Sequence, residues 1–288
     1  MRATVRHDQA LAVSKVEFPH LPHKLGDVSH NAFRDLCIID MNLKFAIIIS
    51  MKKGLVIIPT YNEAINIERI IAQILTISPQ LDVFVIDDNS PDQTGDIVKK
   101  MTEKNKRVHL RRRERKLGLG TAYVLGFQHA LAKDYDFAFE MDADFSHNPD
   151  DLPRFIELLE TYDLVVGSRY VNGVSVVNWP MKRLLLSYSA CYFARVVTGI
   201  PVRDLTSGFK CYSRKALASV DWKSFDVDGY GFQIQSVYSV YRAGLHVKEI
   251  PIIFVERRAG ESKMSRRIIW EAFWLVWKLR FKSLFSNK

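Results

Sequence analysis

Cysteine is scarce in this 288-residue chain: Cys37, Cys191 and Cys211 are the three, odd in number and far apart. No C-x-x-C pair occurs, which argues against a structural zinc site. Thiols of this kind fit a reducing cytoplasm, where they serve as small packing residues. Long apolar runs are missing too. Residues 45–49 are a short run, and residues 268–277 are interrupted by Glu271. Neither reaches the roughly 18 residues of a spanning helix. No long apolar core follows the opening charges, so a signal-peptide pattern is absent. The chain is therefore expected to be cytoplasmic and not to span a membrane, although it could lie on one. Three catalytic or nucleotide-binding signatures are also lacking. There is no G-x-x-x-x-G-K-[ST] loop and no G-x-S-x-G elbow, and Gly118-Leu119-Gly120 lacks its third glycine. No internal repeat or low-complexity tract is visible.

Charge of one sign is in surplus. Lys and Arg number 41 against 32 Asp and Glu, a formal net charge of +9. A basic surplus suits an anionic partner: nucleic acid, an acidic membrane face or a phosphorylated substrate. Arg111-Arg112-Arg113-Glu114-Arg115-Lys116 is the best support for nucleic acid. No helix-turn-helix, zinc-finger or ribonucleoprotein pattern accompanies it, so no nucleic-acid partner is expected. A solvated loop beside an anionic substrate explains the run as well.

The chain reads as three parts. Residues 1–50 hold scattered His, Asp and Pro without a sustained period, and are expected to be a poorly ordered extension. Residues 51–264 alternate strand and helix. Leu55-Val56-Ile57-Ile58 is an apolar run ended by Pro59, as in a strand buried on both faces. Asn62 is placed to cap the next helix, which carries Ile67, Ile70, Ile71, Ile74 and Leu75. Further strands are expected near 82–86, 108–111, 137–141 and 164–166, with helices near 96–104, 118–133 and 152–160. This alternation predicts an α/β fold with a mostly parallel central sheet flanked by helices. Residues 265–288 read as an amphipathic helix.

Ligands in such sheets sit at the carboxyl ends of the strands. Two acidic clusters fall there, Asp87-Asp88 and Asp142-Ala143-Asp144. Asp-x-Asp alone is weak, because Asp134-Tyr135-Asp136 and Asp226-Val227-Asp228 also match. Asp142 and Asp144 stand out because an apolar strand runs straight into them. Two carboxylates there suit Mg²⁺ or Mn²⁺, hard ions that leave room for phosphate oxygens. A carboxylate after the second strand could accept bonds from a base or ribose, or simply build a turn.

Pro59-Thr60-Tyr61-Asn62-Glu63, Asp87-Asp88-Asn89-Ser90-Pro91 and Met141-Asp142-Ala143-Asp144 together resemble glycosyltransferase family 2, whose fold is the Rossmann-like GT-A fold. The resemblance covers residues 55–264. Later motifs resemble the polyprenyl (dolichyl) phosphate mannosyltransferases of that family: Gly167-Ser168-Arg169-Tyr170, Asn178-Trp179-Pro180, Arg183 with Ser187, Thr206-Ser207-Gly208-Phe209, Gly229-Tyr230 through Gln233, and Gly260-Glu261-Ser262-Lys263. The resemblance implies GDP-mannose as donor and a polyprenyl phosphate as acceptor. It implies that Pro59, Tyr61, Glu63, Asp88 and Ser90 hold the nucleoside. It implies that Asp142, Ala143 and Asp144 serve the metal and the pyrophosphate, with Asp142 and Asp144 as ligands. Arg169, Arg183 and Ser187 are implied for the acceptor phosphate, and Arg257 and Lys263 for phosphate contacts from a loop. Asp144, Arg169, Arg183 and Arg257 are the implied catalytic set. Two positions depart from the pattern. Ser146 stands where some relatives place a metal-ligating Gln, and Gln235 where an acidic residue is common. A polyprenyl phosphate glucosyltransferase using UDP-glucose, or another family 2 glycosyltransferase, is the alternative.

The last stretch, residues 265–285, is about 30 Å long if helical. Ile269, Trp270, Phe273, Trp274, Trp277, Phe281 and Leu284 are expected on one side, with Arg266, Arg267, Lys278 and Lys282 mainly elsewhere. Aromatics beside basic residues describe an interfacial helix, and packing on the domain is the competing use. Residues 181–197 are a second candidate, with Leu184, Leu185, Tyr188, Tyr192 and Phe193 around Arg183 and Ser187. Membrane contact is expected to be peripheral, on the cytoplasmic face. The oligomeric state is left open.

Overall fold

The structure is a computed structural model. It describes residues 52–225, 229–256 and 266–285, with side chains in the last helix described for residues 270–281. Residues 1–51 and 257–265, with Arg257 and Lys263 among the latter, lie outside the described residues.

The first half alternates as the sequence predicts. β1 (Gly54–Thr60) leads to α1 (Ile67–Ile77), β2 (Leu81–Asp87), α2 (Thr94–Lys104), β3 (Val108–Arg112), α3 (Leu119–Ala132) and β4 (Phe137–Glu140). After a 3₁₀ turn at Pro149–Asp151 come α4 (Leu152–Leu158), β5 (Leu164–Ser168), β6 (Val176–Val177) and α5 (Met181–Thr198). The remainder is β7 (Lys210–Ser213), α6 (Arg214–Ser219), α7 (Gly229–Arg242), β8 (Val247–Pro251), β9 (Phe254–Val255) and α8 (Arg266–Phe285).

Seven strands form one sheet in the order β3-β2-β1-β4-β7-β5-β8. All its pairings are parallel except those of β7, which runs against β4 and β5. Separately, β6 and β9 form a short parallel ribbon. The central strands are apolar along both faces because helices cover both faces. Leu55 and Ile57 point into one core with Tyr123, Phe127 and Tyr212. Val56 and Ile58 point into the other with Phe139, Phe155 and Phe209. On α1, Ile67, Ile70, Ile71 and Ile74 are fully buried, each contributing roughly 1.5–3 kcal/mol before entropy is counted. Gly126 lets α3 approach β1. A Cβ there would stand 2.6 Å from Ile57 Cδ1, so a larger side chain would push the helix off the sheet.

Asn62 does not cap α1. It takes a left-handed backbone (φ 64°) and donates its N–H to Ser90 Oγ at 3.1 Å. The helix starts five residues later behind Asn66, which makes no side-chain cap. The turn is fixed by its tie to the β2 loop rather than by the helix.

α8 packs on the domain through Leu275, Val276 and Leu279, all buried, and Tyr238 donates its hydroxyl to the Leu279 carbonyl at 2.8 Å. Phe273 stacks on Phe193 of α5 at 5.0 Å between ring centroids. Trp270, Trp274 and Phe281 face outward. The helix thus has two apolar sides, one packed and one exposed. The side chains of Arg266, Arg267, Ile269, Lys282 and Leu284 lie outside the described set. Cys191 and Cys211 are buried free thiols, in keeping with a packing role. Among the described residues no helix is long and apolar enough to cross a membrane.

Candidate active site

β1, β2 and β4 run parallel, so Thr60, Asp87 and Glu140 end on one edge of the sheet. The loops after these strands wall a cleft of about 540 Å³. Pro59, Tyr61, Glu63 and Asp88 line it, as do Asp142, Ala143, Asp144, Arg169 and Arg183. Nine of the sequence-predicted residues thus converge on one cavity. Ser90 and Ser187 are not on its wall, and Arg257 and Lys263 lie outside the described residues.

The β2 loop separates its two aspartates. Asp87 is 2% exposed. Its carboxylate accepts from Thr60 Oγ1 at 2.9 Å, from Ser90 Oγ at 2.5 Å and from the Ser90 N–H at 3.1 Å. Ser90 thus knots the β1 and β2 loops and, unlike Asp88, does not line the cleft. Asp88 faces the cleft. Arg113, nearly buried, donates to Asp88 through Nε, to Thr121 Oγ1 at 2.7 Å and to the Gly118 carbonyl at 2.9 Å. Lys116 lies 4.2 Å over the Tyr61 ring and also lines the cleft. The basic run is thus folded around the site: Arg112 pairs with Asp96 at 2.5 Å, Arg113 orients Asp88, and Lys116 meets the ligand side.

The β4 loop carries the acidic pair. Asp144 Oδ1 accepts from the Ser146 N–H at 3.0 Å and from its hydroxyl at 2.6 Å. His147, which the sequence reading passed over, is 2% exposed and stacks on Phe209 at 4.9 Å. Its Nδ1 accepts the Asp142 N–H at 3.1 Å, so its proton sits on Nε2. Burial pushes its pKa down to about 4, partly offset by Asp144, so it is neutral at pH 7. The Asp142 side chain is 41% exposed. Among the described residues no cluster of three or more His, Cys, Asp or Glu forms a metal cage. The donor set nonetheless fits a hard divalent ion that takes two carboxylates and fills its remaining positions with phosphate and water oxygens.

Beneath the pair, Glu140 of β4 faces Lys210 of β7 in register. Both are fully buried and 3.3 Å apart. Burial raises the Glu140 pKa and lowers that of Lys210, because each charge is costly there. Tyr212 donates to Glu140 at 2.8 Å, and Lys210 reaches Gln233.

Arg169 is held by Asp204, another residue the sequence reading did not single out. Nε and one Nη donate to its carboxylate at 2.7 and 2.6 Å, and the Arg169 backbone N–H adds a bond at 2.9 Å. Thr206 accepts from the same Nη at 2.8 Å. Burial pushes the Asp204 pKa up, but Arg169 outweighs it and holds the carboxyl below its usual value. Arg183 stacks over Trp179 at 4.2 Å and donates to Glu256. Ser187 accepts from the Tyr170 hydroxyl at 2.9 Å, one layer behind the cleft. The sequence signal for Asp204 was faint, a lone acid ahead of the Thr-Ser-Gly-Phe motif.

The strand order, the antiparallel β7 within a parallel sheet and the acidic pair after β4 define the GT-A class of fold. Residues 55–220 match the family described as glycosyl transferase family 2, more than half of the chain. The chain belongs to that family. The undecaprenyl-phosphate mannosyltransferase of Micrococcus luteus is 42% identical over 218 residues, 76% of this chain and 90% of that protein. The polyprenol monophosphomannose synthase of Mycolicibacterium smegmatis is 41% identical, with 80% and 88% covered. Among solved structures, glucosyl-3-phosphoglycerate synthase of Mycobacterium tuberculosis, determined with Mn²⁺ and UDP-glucose, superposes with a TM-score of 0.62. It shares 18% identity, with 83% of this chain and 82% of that one covered. That likeness bears on the fold alone.

Proposed function

We propose that this enzyme transfers mannose from GDP-mannose to a polyprenyl phosphate at a membrane surface. The observation that carries the reading is that one cleft joins Asp142 and Asp144 to Arg169 and Arg183. A donor pyrophosphate and an acceptor phosphate can then meet there. The names of the Micrococcus luteus and Mycolicibacterium smegmatis relatives support mannose transfer to a polyprenyl phosphate.

The chemistry needs little from a base. An acceptor phosphate monoester, with a second pKa of about 6, is already dianionic at neutral pH. Its oxygen attacks the anomeric carbon and forms the new C–O bond. The bond from that carbon to the pyrophosphate breaks, its electron pair leaving on the nucleoside diphosphate. In-line attack inverts the anomeric centre. What must be stabilised is growing negative charge on the leaving group. Asp142 and Asp144 would hold Mg²⁺ or Mn²⁺, which supplies positive charge when bound. Pro59, Tyr61, Glu63 and Asp88 hold the nucleoside, with Lys116 beside them. Arg183, with its planar fork, suits the acceptor phosphate, which must displace Glu256 from it. Arg169 shapes that pocket while its own fork is matched to Asp204. Arg257 and Lys263 are assigned phosphate contacts.

The acceptor's lipid tail calls for an apolar docking face. Met181, Leu185, Tyr188, Tyr192 and Val196 make an exposed row along α5, the helix that carries Arg183. Trp270, Trp274 and Phe281 add exposed aromatics on α8, which packs beside it. Aromatics flanked by Lys182, Arg195, Lys278 and Arg280 suit the headgroup region of the cytoplasmic membrane face.

The donor assignment is tested with labelled GDP-mannose and UDP-glucose, each offered a short polyprenyl phosphate with Mg²⁺ or Mn²⁺. Transfer from GDP-mannose that is lost on chelation and in Asp144→Ala is the expected result. Transfer from UDP-glucose alone would make it a glucosyltransferase. Transfer that survives Asp144→Ala would overturn the site.

A further inference from the structure

Gln233 of α7 lines the cleft and is 2% exposed. Its amide has a fixed direction. Oε1 accepts from Lys210 Nζ. An ammonium offers donors and no acceptor, so the carbonyl must face the lysine and Nε2 must face away. Nε2 is buried without a hydrogen-bond partner among the described residues. Glu140 stands close enough to be stabilised by one of its two hydrogens, which leaves the other N–H. A buried donor left unmade is costly, so a partner is expected when the site is filled.

Gly208 shows where that partner sits. The point at which its Cβ would stand is 3.8 Å from Gln233 Nε2, 3.8 Å from Asp142 Oδ2 and 3.5 Å from His147 Cε1. Those are ordinary contact distances, so the space is open to at least one heavy atom. The surroundings select what enters it. The donor pyrophosphate falls to the divalent ion that Asp142 and Asp144 would hold, so the group left for this seat beside Asp142 is a neutral hydroxyl. A neutral hydroxyl accepts from Nε2 and donates to a carboxylate.

We propose that Gln233 is a specificity-determining residue whose Nε2 donates to a hydroxyl oxygen of the transferred sugar, seated over Gly208. This deepens the donor reading above and rests on it. Glycine at 208 keeps the seat open, and Lys210 keeps the amide turned towards it.

The test compares the sugar nucleotide that the wild type binds, GDP-mannose or UDP-glucose, with its parent GDP or UDP. Affinities are measured by calorimetry with Mg²⁺ for the wild type, Gln233→Met and Gly208→Ala. Gln233→Met keeps the bulk and removes the donor. Gly208→Ala keeps Gln233 and fills the seat with a methyl group that meets no close contact. The expected result is a five- to tenfold loss for the sugar nucleotide in each variant, the size of one hydrogen bond, with the parent nucleotide held within twofold. Equal losses for both ligands would place Nε2 on a phosphate oxygen and overturn the proposal. Unchanged affinities in both variants would reduce Gln233 to a support for Lys210. If Gln233→Met does not fold, Gly208→Ala decides alone. A wild type that binds neither sugar nucleotide overturns the donor reading, and this inference with it.

Discussion

Replacing Asp204 by asparagine strands a buried guanidinium. Asp204 is 0% exposed and the Arg169 side chain 7%. The carboxylate takes three Arg169 bonds, at 2.7, 2.6 and 2.9 Å. Asparagine keeps one acceptor oxygen and loses the charge. Breaking a buried pair from one side costs about 3–5 kcal/mol, out of a total stability of roughly 5–15 kcal/mol. With a urea slope near 2–3 kcal/mol/M, the midpoint should fall by about 1–2.5 M. The companion variant, Asp204→Leu with Arg169→Met, removes both charges and should be more stable than either single change. The pH dependence has a definite sign. The folded pKa of Asp204 lies below its unfolded value. Its contribution is therefore full above about pH 4 and is lost as pH falls through the folded value, so wild type and Asp204→Asn should converge in strong acid. Urea titrations followed by tryptophan fluorescence at pH 7.5 and at lower pH supply the data. A midpoint shift below about 0.3 M at pH 7.5 would refute the claim that this pair holds the β5 edge of the site.

Three further outcomes are expected. Arg113→Ala removes a charged bond from Asp88, so the donor KM should rise about 10- to 100-fold with kcat little changed; steady-state kinetics decide, and an unchanged KM would leave Arg113 a purely structural residue. Buried neutral His147, with a folded pKa of about 4, should make metal-free protein less stable as pH falls from about 6.5 to 4. The unfolded chain takes up the proton first, and the total loss is at most about 3 kcal/mol. His147→Asn, which keeps an acceptor for the Asp142 N–H, should flatten that window in urea titrations. Leu185→Asp with Trp274→Asp should abolish co-flotation with anionic liposomes while leaving GDP binding intact; unchanged flotation would move the membrane contact elsewhere.

The parallel half of the sheet was legible because its strands are buried on both faces. Leu55-Val56-Ile57-Ile58 and its counterparts have to be apolar, and their polar endings mark the ligand edge. β7 was not legible. Its sequence, Lys-Cys-Tyr-Ser, reads as polar, and partners far along the chain, Glu140 70 positions earlier with Gln233 and Ser236 later, make a buried Lys210 acceptable. No local period carries that information. Arg113 hid inside a basic run for the same reason: its partner Asp88 is brought near by the parallel register of β2 and β3. Ser90 shows a related ambiguity. A small hydroxyl beside a ligand loop serves the backbone as readily as a ligand, and here it closes the turn. On α8, apolar residues occur nearly all the way round, so the pattern showed an apolar helix without showing which side packs. Pro59, Tyr61, Glu63, Asp88, Asp142 and Asp144 stood out in the sequence because their motifs occur together in one order, and the fold brings them to one cleft.

The central claim is that an acceptor phosphate, not a hydroxyl, attacks the sugar. The most direct measurement offers the enzyme labelled GDP-mannose with either a polyprenyl phosphate or the matching free polyprenol, in the same vesicles with Mg²⁺. Transfer to the phosphate alone is expected, lost in Asp144→Ala and strongly weakened in Arg183→Ala. Comparable transfer to the free alcohol would contradict it, because the cleft would then have to supply a general base that the account does not require.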